Sequence, residues 1–350
     1  MPAITHTRKE NSSILVSSRI RLARNLKGKK FSPYANSRQL ADIYKTCFDA
    51  LSKVKRLKDA KRYDMQAIGQ REREFLTESR AISKEMDIRT LGKGAFVVEE
   101  AHTSVFINEE DHIRIQVIGK SLPLLYKSAS ALDDEIEKEL EYAFSQDIGY
   151  ITSCPTNMGT GMRASVMLHL PVLSMTNDIE KIVRAVNQLG MVIRGSNGEG
   201  SDSVNSFFQL SNQQTLGVSE ADIIKKIQTF CKKICQFESD ARYKMLEDRP
   251  LVLIDKVLRA RSILQTCKLI DSQEALSLLS IMRLAADMNM MDFCGEALER
   301  IDELSLEVLP AHLCRAFGAE DAQGALRDEL RARLLNEEIA KLPKLSIKGV

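Results

Sequence analysis

The segment "TSVFINEEDHIRIQVI" (103–118) leaves few folds open. Val105 and Ile107 alternate, and so do Ile113, Ile115 and Val117, around a polar turn at 108–111. Successive side chains of an extended chain point to opposite faces. The spacing therefore predicts an antiparallel hairpin with one buried face, which turns His112, Arg114 and Gln116 to the other.

The same period recurs. In "SSRIRLARN" (17–25) Arg19 and Arg21 share one face and Ile20 and Leu22 the other. In "RASVMLHLP" Val166, Leu168 and Leu170 oppose Ser165, Met167 and His169. A strand ending at Arg194, a glycine-rich loop and a strand from about Ser206 follow. Helices are predicted at 38–53, where Leu40, Ile43, Cys47 and Leu51 recur at helical spacing, at 131–145 and around 178–189. Hairpins among helices indicate an α+β domain with an antiparallel β-sheet flanked by helices, not a series of βαβ units. After residue 220 the strand signals stop. Asp271 and Glu274 form a capping pair ahead of an Ala275, Leu279, Met282, Ala286 stripe, so an all-α C-terminal domain is expected. The division is placed at 14–241 and 242–350.

At 350 residues the chain holds about two cores. Lys+Arg 50 against Asp+Glu 48 leaves a formal charge of +2, so nothing global points to nucleic acid or an anionic membrane. The first residues are polar, unlike a secretory signal, and no window approaches the roughly 18 apolar residues of a span. The seven cysteines are scattered without a CxxC pair, which argues against a disulfide framework or zinc ribbon and fits a reducing cytoplasm. Cys231 and Cys235 read as packing residues.

Chemistry concentrates in four segments. They are "SSRIRLARN" with Arg19, Arg21 and Arg24; "NEEDHIR" with Glu110, Asp111, His112 and Arg114; "CPTNMGTGMRAS" with Cys154, Asn157 and Arg163; and "IRGSNGEG" with Arg194 and Glu199. Each alone has an ordinary reading: a solvated strand face, a soluble turn, a small buried thiol, a flexible loop. Converging, the arginines would repel one another unless an anion neutralised them, and a triphosphate with Mg²⁺ would do so. No GxxxxGK phosphate loop and no HRD or DFG kinase set is present.

At these four segments the chain resembles the ATP:guanido phosphotransferases, the superfamily of creatine and arginine kinases, whose signatures appear in the same order over 14–240. The resemblance implies a guanido kinase (glutamine-synthetase-like) catalytic fold. Sixteen residues precede Ser17, where the small-molecule kinases carry a helical domain, and a helical domain instead ends this chain. Both features look like the bacterial protein-arginine kinases. "RDELRA" (327–332) is similar to the phosphoarginine-binding RDxxRA motif of that branch, with Arg327, Asp328, Arg331 and Ala332 as an allosteric pocket.

The resemblance further implies roles. Glu110 and Glu199 would clamp the substrate guanidinium and help to remove its proton, and Cys154 as thiolate would set its angle. ATP would be held by Ser17, Ser18, Arg19, Ile20 and Arg21, by Arg114, by Arg163, Ala164, Ser165, Val166 and Met167, and by Arg194, Gly195, Ser196, Asn197 and Gly198. Mg²⁺ would come with the phosphates. Where relatives place an adenine-contacting histidine this chain has Arg80, whose plane can also stack on a base. Substrates would be proteins bearing arginine, with an activator protein, a repressor and a Clp-type protease as partners, a homodimer as assembly, and a place in stress response and protein quality control. A kinase for free arginine and a catalytically weak phosphoarginine-binding adaptor are the alternatives.

Overall fold

The structure, a computed structural model, describes residues 13–88, 91–195, 203, 205–319 and 322–346. Its strands are β1 (Leu15–Arg24), β2 (Lys61–Asp64), β3 (Gly94–Val98), β4 (Thr103–Ile107), β5 (Ile113–Gly119), β6 (Phe144–Ser145), β7 (Gly149–Tyr150), β8 (Met162–His169), β9 (Met191–Gly195) and β10 (Phe207–Asn212). Its helices are α1 (Ser37–Leu51), α2 (Gln70–Glu78), α3 (Lys84–Ile88), α4 (Leu122–Glu137), α5 (Pro171–Met175), α6 (Ile179–Gln188), α7 (Glu220–Asp248), α8 (Pro250–Thr266), α9 (Ser272–Asp287), α10 (Cys294–Glu307), α11 (Pro310–Ala316) and α12 (Ala325–Lys341).

Eight of the strands form one antiparallel sheet in the order β2-β3-β4-β5-β1-β8-β10-β9, with β6 and β7 as a separate pair. One face is apolar. Ile20, Leu22, Ile113, Ile115, Val166 and Leu210 are buried there in a core shared with α1, α4, α6 and α7. Each large apolar side chain so buried contributes about 1.5–3 kcal/mol. That fixes register, because a one-residue slip of β1 would push Arg19 and Arg21 into this core.

The hairpin forms as its alternation predicts, but both faces are covered. Phe106, on the face opposite Val105 and Ile107, joins Met65, Leu76, Ile82 and Met86 in a small second cluster beneath α2 and α3. Arg114 and Gln116 are buried beside it. Alternation reports which residues share a face; it does not report what lands on that face afterwards.

One helix is displaced from its predicted place. The helix expected at 131–145 is α4, Leu122–Glu137. Leu122, Leu125, Ala129, Leu132 and Ile136 make its buried stripe, and Pro123 suits a first turn, where its missing N–H is not needed. The chain after Glu137 is taken by other bonds: Lys27 N and Ala143 N donate to Glu141 O and Asn25 O, and Phe144 pairs with Tyr150.

The C-terminal helices have their own core, including Leu253, Val257, Leu279, Met282, Ile301 and Leu335. Asp271 caps α9 by accepting from Gln273 N and Glu274 N. The 29-residue α7 crosses residues 241–242 without a break. Cys231 and Cys235 on it pack in the first core, Met245 and Leu246 against the second, and Ala241 touches both. The helical domain also meets the sheet at the end of β8, where His169 bonds Ser280 and Arg283 of α9. A second junction joins α2 to α11.

Candidate active site

The second face of the central strands carries the arginines. Antiparallel pairing sets Arg21 opposite both Arg163 of β8 and Gln116 of β5, and Arg19 opposite Ser165. Arg114 lies opposite Ala23, and Arg194 of β9 opposite Gln209 of β10. Like charges directly opposite destabilise a sheet. Folding nevertheless brings Arg19, Arg21, Arg114, Arg163 and Arg194 onto one face, because their apolar alternates fill the core.

Neighbouring carboxylates neutralise only part of this charge. Arg114 pairs with the buried Glu109 through Nη1 and with Glu110 through Nη2, at 3.0 Å. Arg19 donates to Gln209 Oε1 at 2.8 Å, and Arg163 Nη2 to Ser211 Oγ at 3.2 Å, both neutral acceptors. Arg163 Nε is buried with no acceptor among the described residues. Burial first, then Arg80, Arg163 and Arg114, hold Arg19 down to about 10. Burial first, then Arg19, Arg114 and Arg163, hold Arg21 well below the usual arginine range. Arg163 is lowered by burial, Arg194 and Arg114, against the opposing pull of Cys154 and Glu110. Arg19, Arg21 and Arg163 remain partly exposed despite this crowding, so solvent reaches the face they share. A buried donor without an acceptor, among arginines facing arginines, suits a polyanion.

Cys154 enters from a loop fixed at both ends. Its Sγ contacts Thr156 Oγ1 at 3.0 Å. The preceding Ser153 N–H donates to Asp111 Oδ1 at 2.7 Å, as does Asn25 Nδ2 at 2.7 Å, while Asn25 Oδ1 accepts from His112 N at 3.0 Å. Three of the four chemical segments are thus joined through one buried aspartate. Farther along, Gly159 and Gly161 have positive φ, where a Cβ would strike Thr215 O and Ala23 O within 2.7 Å, so only glycine fits.

The other expected positions divide by parity. Ile20, Ala164 and Val166 point their side chains into the apolar core, so only their backbone borders the cleft. Ser18 Oγ donates to Lys120 O at 2.7 Å. Ser17 lies opposite Met167, beside the arginine face, and the backbone of Gly195 pairs with Phe208. Ser196, Asn197, Gly198 and Glu199 lie outside the described residues.

Arg80 follows α2 in an unusual conformation. Its φ is +59°, with Arg80 N bonded to Thr77 O and Ala81 N to Leu76 O, at 3.0 and 2.9 Å. This is a Schellman helix end whose left-handed position favours glycine, and another residue there costs about 1–2 kcal/mol. Arg80 O accepts from Gln116 Nε2 at 3.0 Å; its positive charge helps to lower Arg19, and its own pKa is lowered by burial against the opposing pull of Asp302 of α10.

In the helical domain, Arg331 of "RDELRA" is buried. It donates Nε to Val308 O and Nη1 to Ile270 O and to Asp328 Oδ1, at 2.8, 2.8 and 2.7 Å, leaving Nη2 outside those three bonds. Asp328 and Arg327 are half-exposed, and Ala332 is buried in the helical core.

Several residues bordering the cleft escape the motif reading. Gln209 and Ser211 could have been found by carrying the alternation of β8 across to β10. Glu109 needed the hairpin turn to bend inward under α2, where Ser83 Oγ donates to it. Nothing local marks Asn25 and Asp111 as partners, 86 residues apart.

Residues 42–241 match the family model for the ATP:guanido phosphotransferase C-terminal catalytic domain, and 250–349 match that for the protein-arginine kinase McsB C-terminal domain. The chain is 40% identical over 342 residues to a protein-arginine kinase of Clostridium tetani, covering 95% of this chain and 98% of that one. It is 38% identical to one of Geobacillus stearothermophilus, covering 97% and 94%. Among solved structures it resembles a lombricine kinase (TM-score 0.57, 24% identity, 66% of this chain and 67% of that one). A duplicated taurocyamine kinase from Schistosoma mansoni is also similar (TM-score 0.60, 21% identity, 90% and 48%). The two structural likenesses speak to the fold.

Proposed function

Because the chain belongs to the ATP:guanido phosphotransferases, and within them to the protein-arginine kinase family, we propose that it moves the γ-phosphoryl group of ATP to arginine side chains of proteins. The observation that carries this reading is Arg21 facing Arg163, with Arg19 and Arg163 meeting neutral acceptors in place of carboxylates. Arg19, Arg21, Arg114, Arg163 and Arg194 would hold the triphosphate and stabilise the transferring group by fixed positive charge. Mg²⁺ would travel with the nucleotide, bound through phosphate and water oxygens.

The acceptor guanidinium stays protonated up to about pH 12 and has no lone pair ready to attack. Glu110, with Glu199, would clamp it and take a proton from one of its nitrogens. That nitrogen then forms the N–P bond as the bond from Pγ to the bridging oxygen breaks, and ADP leaves with the electron pair. Glu110 is held by Arg114 at 3.0 Å. A bound phosphate would compete for that guanidinium, freeing the carboxylate for the substrate while Glu109 keeps Arg114 in place. Cys154 would orient the same guanidinium without forming a covalent bond.

"RDELRA" would sense phosphoarginine. Arg327 and Nη2 of Arg331 would meet the phosphate and Asp328 the guanidinium, while the remaining bonds of Arg331 set the geometry of the pocket. Dimer formation, an activator protein, a repressor, a Clp-type protease and a role in stress response belong to the same proposal.

Incubation with MgATP, offering an unfolded protein beside free arginine, tests the reading through mass spectrometry of acid-labile phosphoarginine. Phosphoarginine in the protein is the expected product. Preferential labelling of free arginine would overturn it.

A further inference from the structure

We propose that the helical domain is a working part of the nucleotide site, because a clamp built by Glu78 and His312 positions Arg80. This rests on the nucleotide role given to Arg80 above. Pro310 opens α11 and supplies no N–H, so the next two amides of that helix need acceptors. The Glu78 carboxylate, at the end of α2 in the other domain, provides them. Ala311 N donates to it at 3.0 and 3.1 Å, His312 N at 3.1 Å, and the His312 ring through Nδ1 at 2.8 Å. The other ring nitrogen of His312 meets Ser79 Oγ at 3.2 Å, and the ring stacks on Phe75 at 4.3 Å.

Two residues beyond Glu78 the chain reaches Arg80. Arginine there occupies a left-handed helix end better suited to glycine, and such strain persists where the surroundings dictate the conformation. Two anchors converge on it: the Glu78–His312 clamp and the bond from Gln116 to its carbonyl. The first of them involves the helical domain. The side chain reaches solvent. Its direction is set by the backbone that the clamp fixes.

Glu78 and His312 are positioning residues and touch no substrate. The test measures ATP affinity of the full chain by calorimetry, beside the melting temperature and separate KM values for ATP and for a protein substrate. Arg80→Gly removes the side chain and relieves the strained φ; ATP affinity should fall while the melting temperature holds or rises. Glu78→Ala and His312→Ala should each weaken ATP by about tenfold, within the range usual for coupled sites. The protein-substrate KM should not change. The double variant should be no weaker than the weaker single one, since the two sides form one contact. His312→Asn, which keeps a donor for Glu78, should restore affinity.

If Arg80→Gly binds ATP like the unaltered chain, the nucleotide role of Arg80 is wrong. If Arg80→Gly weakens ATP but folded Glu78→Ala or His312→Ala does not, the clamp is structural only and this inference is overturned. Should Glu78→Ala fail to fold, His312→Ala decides the matter from the opposite side of the contact.

Discussion

Arg19, Arg21 and Arg163 of the sheet have surroundings opposite to those of the buried arginines of the helical domain. In and around the helical domain each buried guanidinium meets a carboxylate. Arg242 bonds Glu238 and Asp287, Arg283 bonds Asp302 through two nitrogens, and Arg331 bonds Asp328 and two carbonyls. On the sheet, Arg19 and Arg163 meet an amide and a hydroxyl, and Arg21 faces Arg163. A buried charge that is paired holds structure together; crowded charges without counterions weaken the fold and favour an anionic ligand. Arg24, paired with Asp133, and Arg114, paired with Glu109 and Glu110, follow the paired pattern on the sheet as well, so the contrast rests on Arg19, Arg21 and Arg163.

The largest expected effect tests the architectural side. Arg242→Ala strands Glu238, whose pKa burial already raises and whose oxygens also accept from Val172 N and Leu173 N. A loss of about 3–5 kcal/mol is expected, read from the denaturant midpoint. A loss below 1 kcal/mol would remove the distinction between the two groups.

On the binding side, Arg21→Ala should cost about 10²–10³ in phosphotransfer rate, as for loss of one preorganised donor. Its denaturation midpoint should stay level or rise, since a repulsive charge is gone. If stability and activity fall together, Arg21 is structural after all. The comparison sharpens further if ATP raises the melting temperature of the unaltered chain and not of this variant.

The smallest effect lies where the two regions meet. Arg283 Nη1 donates to His169 Nδ1, so Nε2 carries the proton and donates to Ser280 Oγ. Burial, then Arg283 and Arg242, hold the His169 pKa well below its ordinary value. Below about pH 6.5 the unfolded chain takes up a proton that the folded one refuses. His169 therefore contributes fully above that pH, and stability declines as pH falls, by up to about 1.4 kcal/mol per unit. Denaturation between pH 7 and 5 should show a shallower slope in His169→Gln by one proton's worth. An unchanged slope would mean that the ring already protonates in the fold.

Much of this molecule is legible in its local pattern. The parity of "SSRIRLARN" and "RASVMLHLP" separated core from cleft, because a period of two leaves a side chain only two faces to choose from. Asp271 announced its helix for a similarly local reason, being three residues from the amide it caps. The acidic run "LDDEIEKELE" outweighs Pro123 in the local pattern, which therefore sets α4 later than Leu122–Glu137.

Backbone geometry and nearest neighbours fix the faces, that is, which residues travel together on a strand or helix. Packing between distant elements then settles which faces meet. Pairing of β1 with β8 set Arg21 opposite Arg163, packing of α2 covered the second face of the hairpin, and docking of α11 placed Glu78 at another helix's end, 233 residues away. Such contacts depend on how separate elements fill space around shared cores, and no local spacing encodes that.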